Sequence, residues 1–273
     1  MVARSLRSSF SIVGVAAIVF VCSFLVLPLA VIIGSSFGTD AFLKFPPRGL
    51  TLSWYNKMLH LREFVTPLGI SLRLGAIVAL FSGIAGTLAA FALARSPYLR
   101  RSGIEAAFLL PIVLPSLVIG LSLLVLFNLL GINNTWITLI LGHVAVTMPL
   151  VFQTACSLAT TLNRDIEFAA MTLGAPPRTV ITRIVLPLLR PALVGGMIMA
   201  FALSFDEFVI SILLSQGGIT TFPVALFTYM RFSVNPTLAA ISTALIFGTC
   251  LVVLVLHRAV GLDMLFGLKR QNR

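Results

Sequence analysis

Residues 12–33 read IVGVAAIVFVCSFLVLPLAVII, without one charged side chain. That run constrains the fold more than any other feature, because about 20 apolar residues in an α-helix cross the roughly 30 Å hydrocarbon core of a bilayer. Five further segments meet the same test: 71–94, 104–130, 136–158, 192–214 and 238–257. Backbone groups in lipid must be satisfied within the spanning segment, so these runs read as helices and not as barrel strands. Prolines 28, 111, 115 and 149 lie inside them and predict kinks. The run at 12–33 exceeds an ordinary signal-peptide core and reads as an uncleaved first span.

Composition agrees. Hydrophobic residues make up 59% of the 273, charged residues 10%, and the mean hydropathy is +1.09. A soluble domain averages about 25% charged, and one of this size has too little interior to hide so much apolar surface. The net charge of +11 is dispersed in short gaps between apolar runs, which fits membrane topology better than a nucleic-acid partner. Cys22, Cys156 and Cys250 fall within apolar runs and read as packing residues, while His60, His143 and His257 form no ligand cluster. The expected fold is all-α: a polytopic membrane protein with six transmembrane helices in a single domain, 1–273.

Lysine and arginine set the orientation. With the N-terminus in the cytoplasm, thirteen fall inside (Arg4, Arg7, Arg95, Arg100, Arg101, Arg164, Arg178, Arg183, Arg190, Arg258, Lys269, Arg270 and Arg273) and six outside (Lys44, Arg48, Lys57, Arg62, Arg73 and Arg231). Both termini are then cytoplasmic. Two outer gaps carry their own short helices, one after Trp54-Tyr55 and one at FPVALFTYMRF.

The inner gap IEFAAMTLGAPPRTVITRIVLPLLRPAL, 166–193, is unlike its neighbours. Ile166, Ala169, Ala170 and Leu173 share a helical face. Gly174 followed by Pro176 and Pro177 is a helix stop. A second amphipathic run follows, with Val180, Ile184 and Leu188. Helix, glycine turn and helix suit docking in a groove of a partner.

The order Ala169-Ala170, Gly174, then Ile184-x-Leu186-Pro187 resembles the Glu-Ala-Ala loop of ABC importer permeases. The family's glutamate stands directly before the two alanines; here Phe168 holds that place and Glu167 lies one residue earlier, about 100° away around a helix. The resemblance implies a type I importer fold and a coupling loop over about 159–191, with Glu167, Ala169, Ala170, Gly174, Ile184, Leu186 and Pro187 as its site residues. It also implies the partners: a dimer of ATP-binding subunits that hold the ATP and magnesium, a second homologous permease, a periplasmic solute-binding protein and the bacterial inner membrane. This chain would bind no cofactor and be no enzyme. None of its three lysines, Lys44, Lys57 and Lys269, follows a glycine as a phosphate loop requires.

FPPRGLTLSWYNKML, SFDEFVISILLSQG and TTFPVALFTYMRFSVNPTLAAIST are similar to the second permease of spermidine/putrescine importers. Systems for ferric iron, opines or aminophosphonates share that architecture. Asp206 and Glu207 are the candidates for the solute pathway. A carboxylate at mid-membrane costs roughly +2.5 to +3.5 kcal/mol on insertion scales, so it is either drawn on by a cationic solute or paired with a neighbouring helix. Two other classes remain at this point. An ion-driven secondary transporter predicts an inverted repeat and paired intramembrane charges, and a membrane scaffold has no use for the 174–187 loop.

Overall fold

The computed structural model describes residues 2–98 and 103–260. Twelve α-helices account for most of them: α1 Val2–Ser36, α2 Ser53–His60, α3 Arg62–Arg95, α4 Ile104–Val113, α5 Ser116–Leu129, α6 Thr135–Thr161, α7 Asp165–Thr172, α8 Pro177–Val180, α9 Leu186–Asp206, α10 Val209–Leu214, α11 Phe222–Phe232 and α12 Pro236–Val260. A π-helical turn, Ile181–Val185, joins α8 to α9. Among the described residues the sole β pairing is an isolated bridge between Gly38 and Leu50.

Two compact units divide the chain, Met1–Arg62 with Thr228–Val253, and Glu63–Phe227 with Leu254–Arg273. In the first, the turn after α1 is closed by side chains. The Ser36 and Tyr55 hydroxyls lie 2.6 Å apart, and Trp54 Nε1 donates to the Gly38 carbonyl at 2.8 Å. The short helix after Trp54-Tyr55 is therefore anchored by the aromatics that mark it. Of the apolar stretch Gly14–Ser36, only the last turn, with Ser35 and Ser36, is buried by protein. Such a helix is stable in hydrocarbon and not in water.

The second unit holds the core. Helix α9 packs along α6, α4 against the same helix, and α10 against α5 and α6. Leu74, Val78, Leu139, Ile210 and Leu214 form one buried cluster, and Ala90, Leu93, Phe152, Ala155 and Ala192 another. Close approach is made possible by Gly86: a Cβ there would lie 3.0 Å from the Phe152 nitrogen and 3.1 Å from the Met148 carbonyl oxygen, both backbone atoms of α6. The small residues of α3 therefore serve packing within the chain.

Among the described residues, four helices are long and apolar enough to cross a membrane, Gly14–Ser36, Arg62–Arg95, Thr135–Thr161 and Pro177–Asp206, or five if the bent pair Ile104–Val113 and Ser116–Leu129 counts as one. Three sequence expectations change. The run 104–130 is no single rod: it turns by 106° at Leu114-Pro115, because proline restricts the residue before it and lacks the N–H a continuing helix needs. The run 192–214 also breaks. Its helix starts earlier, ends at Asp206, and resumes at Val209. The second amphipathic helix of the inner loop is the start of that same rod, so the loop between spanning helices is shorter than 159–191. The last apolar stretch is Pro236–Leu251 within α12. Arg100, Arg101, Lys269, Arg270 and Arg273, part of the charge count for orientation, lie outside the described residues.

Candidate functional site

Two places carry the chemistry suggested by the sequence: the segment 162–187, whose second half is the start of the Pro177–Asp206 rod, and the break after Asp206.

In the loop, Asn163 Oδ1 accepts the Asp165 N–H at 2.9 Å where α7 begins. Helix α7 ends in a Schellman motif, with the Ala175 N–H donating to the Ala170 carbonyl at 3.0 Å and the Gly174 N–H to that of Met171 at 2.9 Å. Gly174 has φ +89 and open space around it, so the demand for glycine is conformational and not steric. Pro177 then opens α8. Pro187 offers no N–H to the carbonyl of Arg183 four residues back, and the wide π turn falls on those residues.

The helical face expected from the sequence divides. Ala170 turns inward with Ala175 and Ile184, packing on Ala94, Ala159, Val180, Val185 and Leu189. Ile166, Phe168, Ala169, Met171 and Leu173 are exposed, Leu173 at 89%. Leu186 and Pro187 are exposed as well.

Glu167 points the other way from that exposed face. Its Oε1 accepts from Arg95 Nη2 at the end of α3, and both side chains are only 16% exposed. Arg95 Nη1 also donates to the Ala159 carbonyl at 3.1 Å, and Arg164 Nη2 to the Ala94 carbonyl at 2.7 Å. Two arginines thus tie α7 to the ends of α3 and α6. The one-residue displacement of the carboxylate explains its direction: about 100° of rotation takes it from the exposed face, where Phe168 now stands, into contact with α3. Arg95 was legible only as a positive charge. Its partner lies 72 residues away.

At the break, the two acids separate. Glu207 Oε1 accepts the Ile210 N–H at 3.0 Å, satisfying a backbone donor where α10 begins. Asp206 is exposed, and its side chain makes no hydrogen bond or ion pair with the described residues. Beside it Phe205 stacks on Phe201 at 6.2 Å and on Phe222 at 6.0 Å between ring centroids. His143 in α6 is fully buried. Its Nδ1 lies 2.8 Å from Ser204 Oγ and its Nε2 3.1 Å from Ser211 Oγ. Neither serine stood out in the sequence. The signal for them was a pair flanking two acids in an apolar run.

Comparison with known proteins gives the class. The family model for the inner membrane component of binding-protein-dependent transport systems matches residues 82–264. The chain is 35% identical over 231 residues, 82% of each chain, to the putrescine transport system permease protein PotI of Escherichia coli (strain K12). It is 28% identical over 246 residues, 90% of each chain, to the spermidine/putrescine transport system permease protein PotC of the same organism. Its fold matches a crystal structure of a bacterial ABC transporter involved in import of the acidic polysaccharide alginate, with a TM-score of 0.72, 16% identity, and coverage of 94% of this chain and 98% of that one. The chain belongs to the family of inner membrane components of binding-protein-dependent transport systems. It is a permease subunit of an ABC importer, with the type I permease fold.

Proposed function

We propose that this permease carries polyamines, putrescine or spermidine, across the bacterial inner membrane. It does so with a second permease subunit, a solute-binding protein outside and a pair of ATPase subunits inside that hold the ATP and magnesium. The whole chain acts as one permease domain of six spans, counting the bent pair 104–129 as one and α12 as the last, with both termini cytoplasmic. The observation that carries the substrate class is the exposed carboxylate of Asp206, without a partner among the described residues, at a helix break and next in sequence to Phe205 of a stacked phenylalanine row. A carboxylate with aromatic faces nearby suits an alkylammonium cation. Glu207 holds backbone and has a different task. The names of the relatives at 28% and 35% identity support the same class.

The loop supplies coupling in this reading. The exposed face of α7, with Ile166, Phe168, Ala169, Met171 and Leu173, docks on the ATPase, and Gly174 shapes the turn. Glu167 keeps α3 attached to the docked helix through Arg95.

Uptake of labelled putrescine and spermidine by cells with and without this chain tests the substrate, with ferric iron, opines and 2-aminoethylphosphonate as competitors. Uptake that depends on the chain and resists those competitors is the expected result. Equal polyamine uptake in both strains overturns the reading.

A further inference from the structure

The buried polar groups around His143 form a chain with a fixed direction. Ser211 Oγ gives its only proton to the Glu207 carbonyl at 2.7 Å. It therefore meets His143 Nε2 as an acceptor, and Nε2 carries a hydrogen. In that tautomer Nδ1 takes the proton of Ser204 Oγ. The run is Ser204 to His143 to Ser211 to the Glu207 carbonyl. It starts on the last turn of α9, passes through a side chain of α6, and ends at the residue that closes α9. The backbone of α6 at His143 is held in turn: Thr147 Oγ1 donates to the His143 carbonyl at 2.8 Å and sits 2.8 Å from Ser82 Oγ of α3. His143, Ser211 and Thr147 are fully buried and Ser204 nearly so.

We infer that His143 is a positioning residue for the solute pathway: by bridging Ser204 and Ser211 it fixes the angle at which α9 gives way to α10, and so the direction in which Asp206 projects. The inference rests on the proposed pathway role of Asp206. A break within an apolar rod leaves backbone groups that lipid cannot satisfy. Here the Glu207 side chain takes one donor and Ser211 takes one carbonyl, while His143 holds the two flanking serines at a set separation. The ring is fully buried, and its two nitrogens are taken up by Ser204 and Ser211 and not by Asp206. It acts through the break.

Uptake of labelled putrescine is measured in membranes carrying the full importer, for His143→Leu, Ser211→Ala and Asp206→Asn, and for each of the first two combined with Asp206→Asn. A positioning role raises the half-saturation concentration by at least about threefold at an unchanged maximal rate, and the rise disappears when Asp206 is already Asn. Additive effects, or a loss confined to the amount of protein and the maximal rate, overturn the inference. An Asp206→Asn importer with normal uptake overturns the pathway reading as well, which separates the two failures. Should His143→Leu not assemble, Ser204→Ala and Ser211→Ala, which each remove one bond, give the same comparison. A second readout needs no solute: with the three native cysteines replaced by alanine, the rate of thiol modification of Asp206→Cys should shift severalfold on adding Ser211→Ala, with Ser157→Cys unchanged. Equal rates at position 206 overturn the inference.

Discussion

The α7 loop and the α9–α10 break each hold one acid that is occupied by the protein itself and one feature left exposed, but they are built in opposite ways. In the loop, Glu167 binds a side chain of another spanning helix and the exposed element is apolar. At the break, Glu207 binds backbone three residues on, and the exposed element is the charge of Asp206. The face of α7 proposed to dock in a protein groove presents hydrocarbon, since burial of apolar area drives such docking. In the proposed pathway, Asp206 presents a carboxylate without a partner among the described residues, which is what a cation can recognise. The difference teaches that an acid's neighbours, and not its presence in a motif, decide its task.

Four substitutions break or sharpen that contrast. The largest effect is expected from Gly174→Val. A β-branched residue at φ +89 is strained by about 2 kcal/mol, the Schellman turn opens, and ATP-dependent uptake falls by about tenfold or more while the break region is untouched. Retained uptake and retained co-purification of the ATPase would remove the loop from coupling.

Next comes Glu167→Gln. It leaves Arg95 half-buried beside a neutral amide and lowers the thermal midpoint of the purified chain by an amount matching about 2 kcal/mol, the range for a hydrogen bond to a charged group. The exchange Arg95→Glu with Glu167→Arg should recover part of the loss. A double variant no better than the worse single one argues that the pair has no energetic role.

Phe168→Ala should weaken association with the ATPase by about tenfold, or 1.4 kcal/mol, without changing the thermal midpoint of the isolated chain. That is the reverse of the Glu167 result. If both variants act alike, the inward and outward faces of α7 are not distinct. The smallest effect belongs to Glu207→Gln, which keeps an acceptor for the Ile210 N–H: about 0.5–1 kcal/mol of stability, with the half-saturation of uptake unchanged. A large rise in half-saturation there would give Glu207 the pathway role assigned to Asp206.

What the sequence made legible follows from the range of the interactions. The loop was readable because its determinants are local: a glycine at the left-handed position and two prolines lie within four residues of one another, and the helix before them ends there. The apolar runs were readable for the same reason, as were the short helices after Trp54 and at Phe222. The break at Asp206 was not. No proline or glycine marks it, and its serines are held by a histidine 61 and 68 residues away. The 106° turn at Pro115 was legible in kind, as a kink, but its size depends on what α4 and α5 pack against. The direction of Glu167 was hidden likewise, since the rotation was calculable and its arginine partner was not.

The π turn at Ile181–Val185 does not interrupt the helix it widens. Pro177–Asp206 counts as one span of 30 residues, about 45 Å at 1.5 Å per residue. One end of that span is the loop and the other is the carboxylate. In the proposed coupling it would serve as a lever arm. A swing of about 5° at the loop end would carry Asp206 through roughly 4 Å, using the same rise per residue. That is enough to bring a charge into a channel or take it out. If the loop takes up the ATP-driven force and Asp206 meets the solute, as proposed above, no relay of small rearrangements is needed between them: one piece of backbone, Pro177–Asp206, reaches both ends.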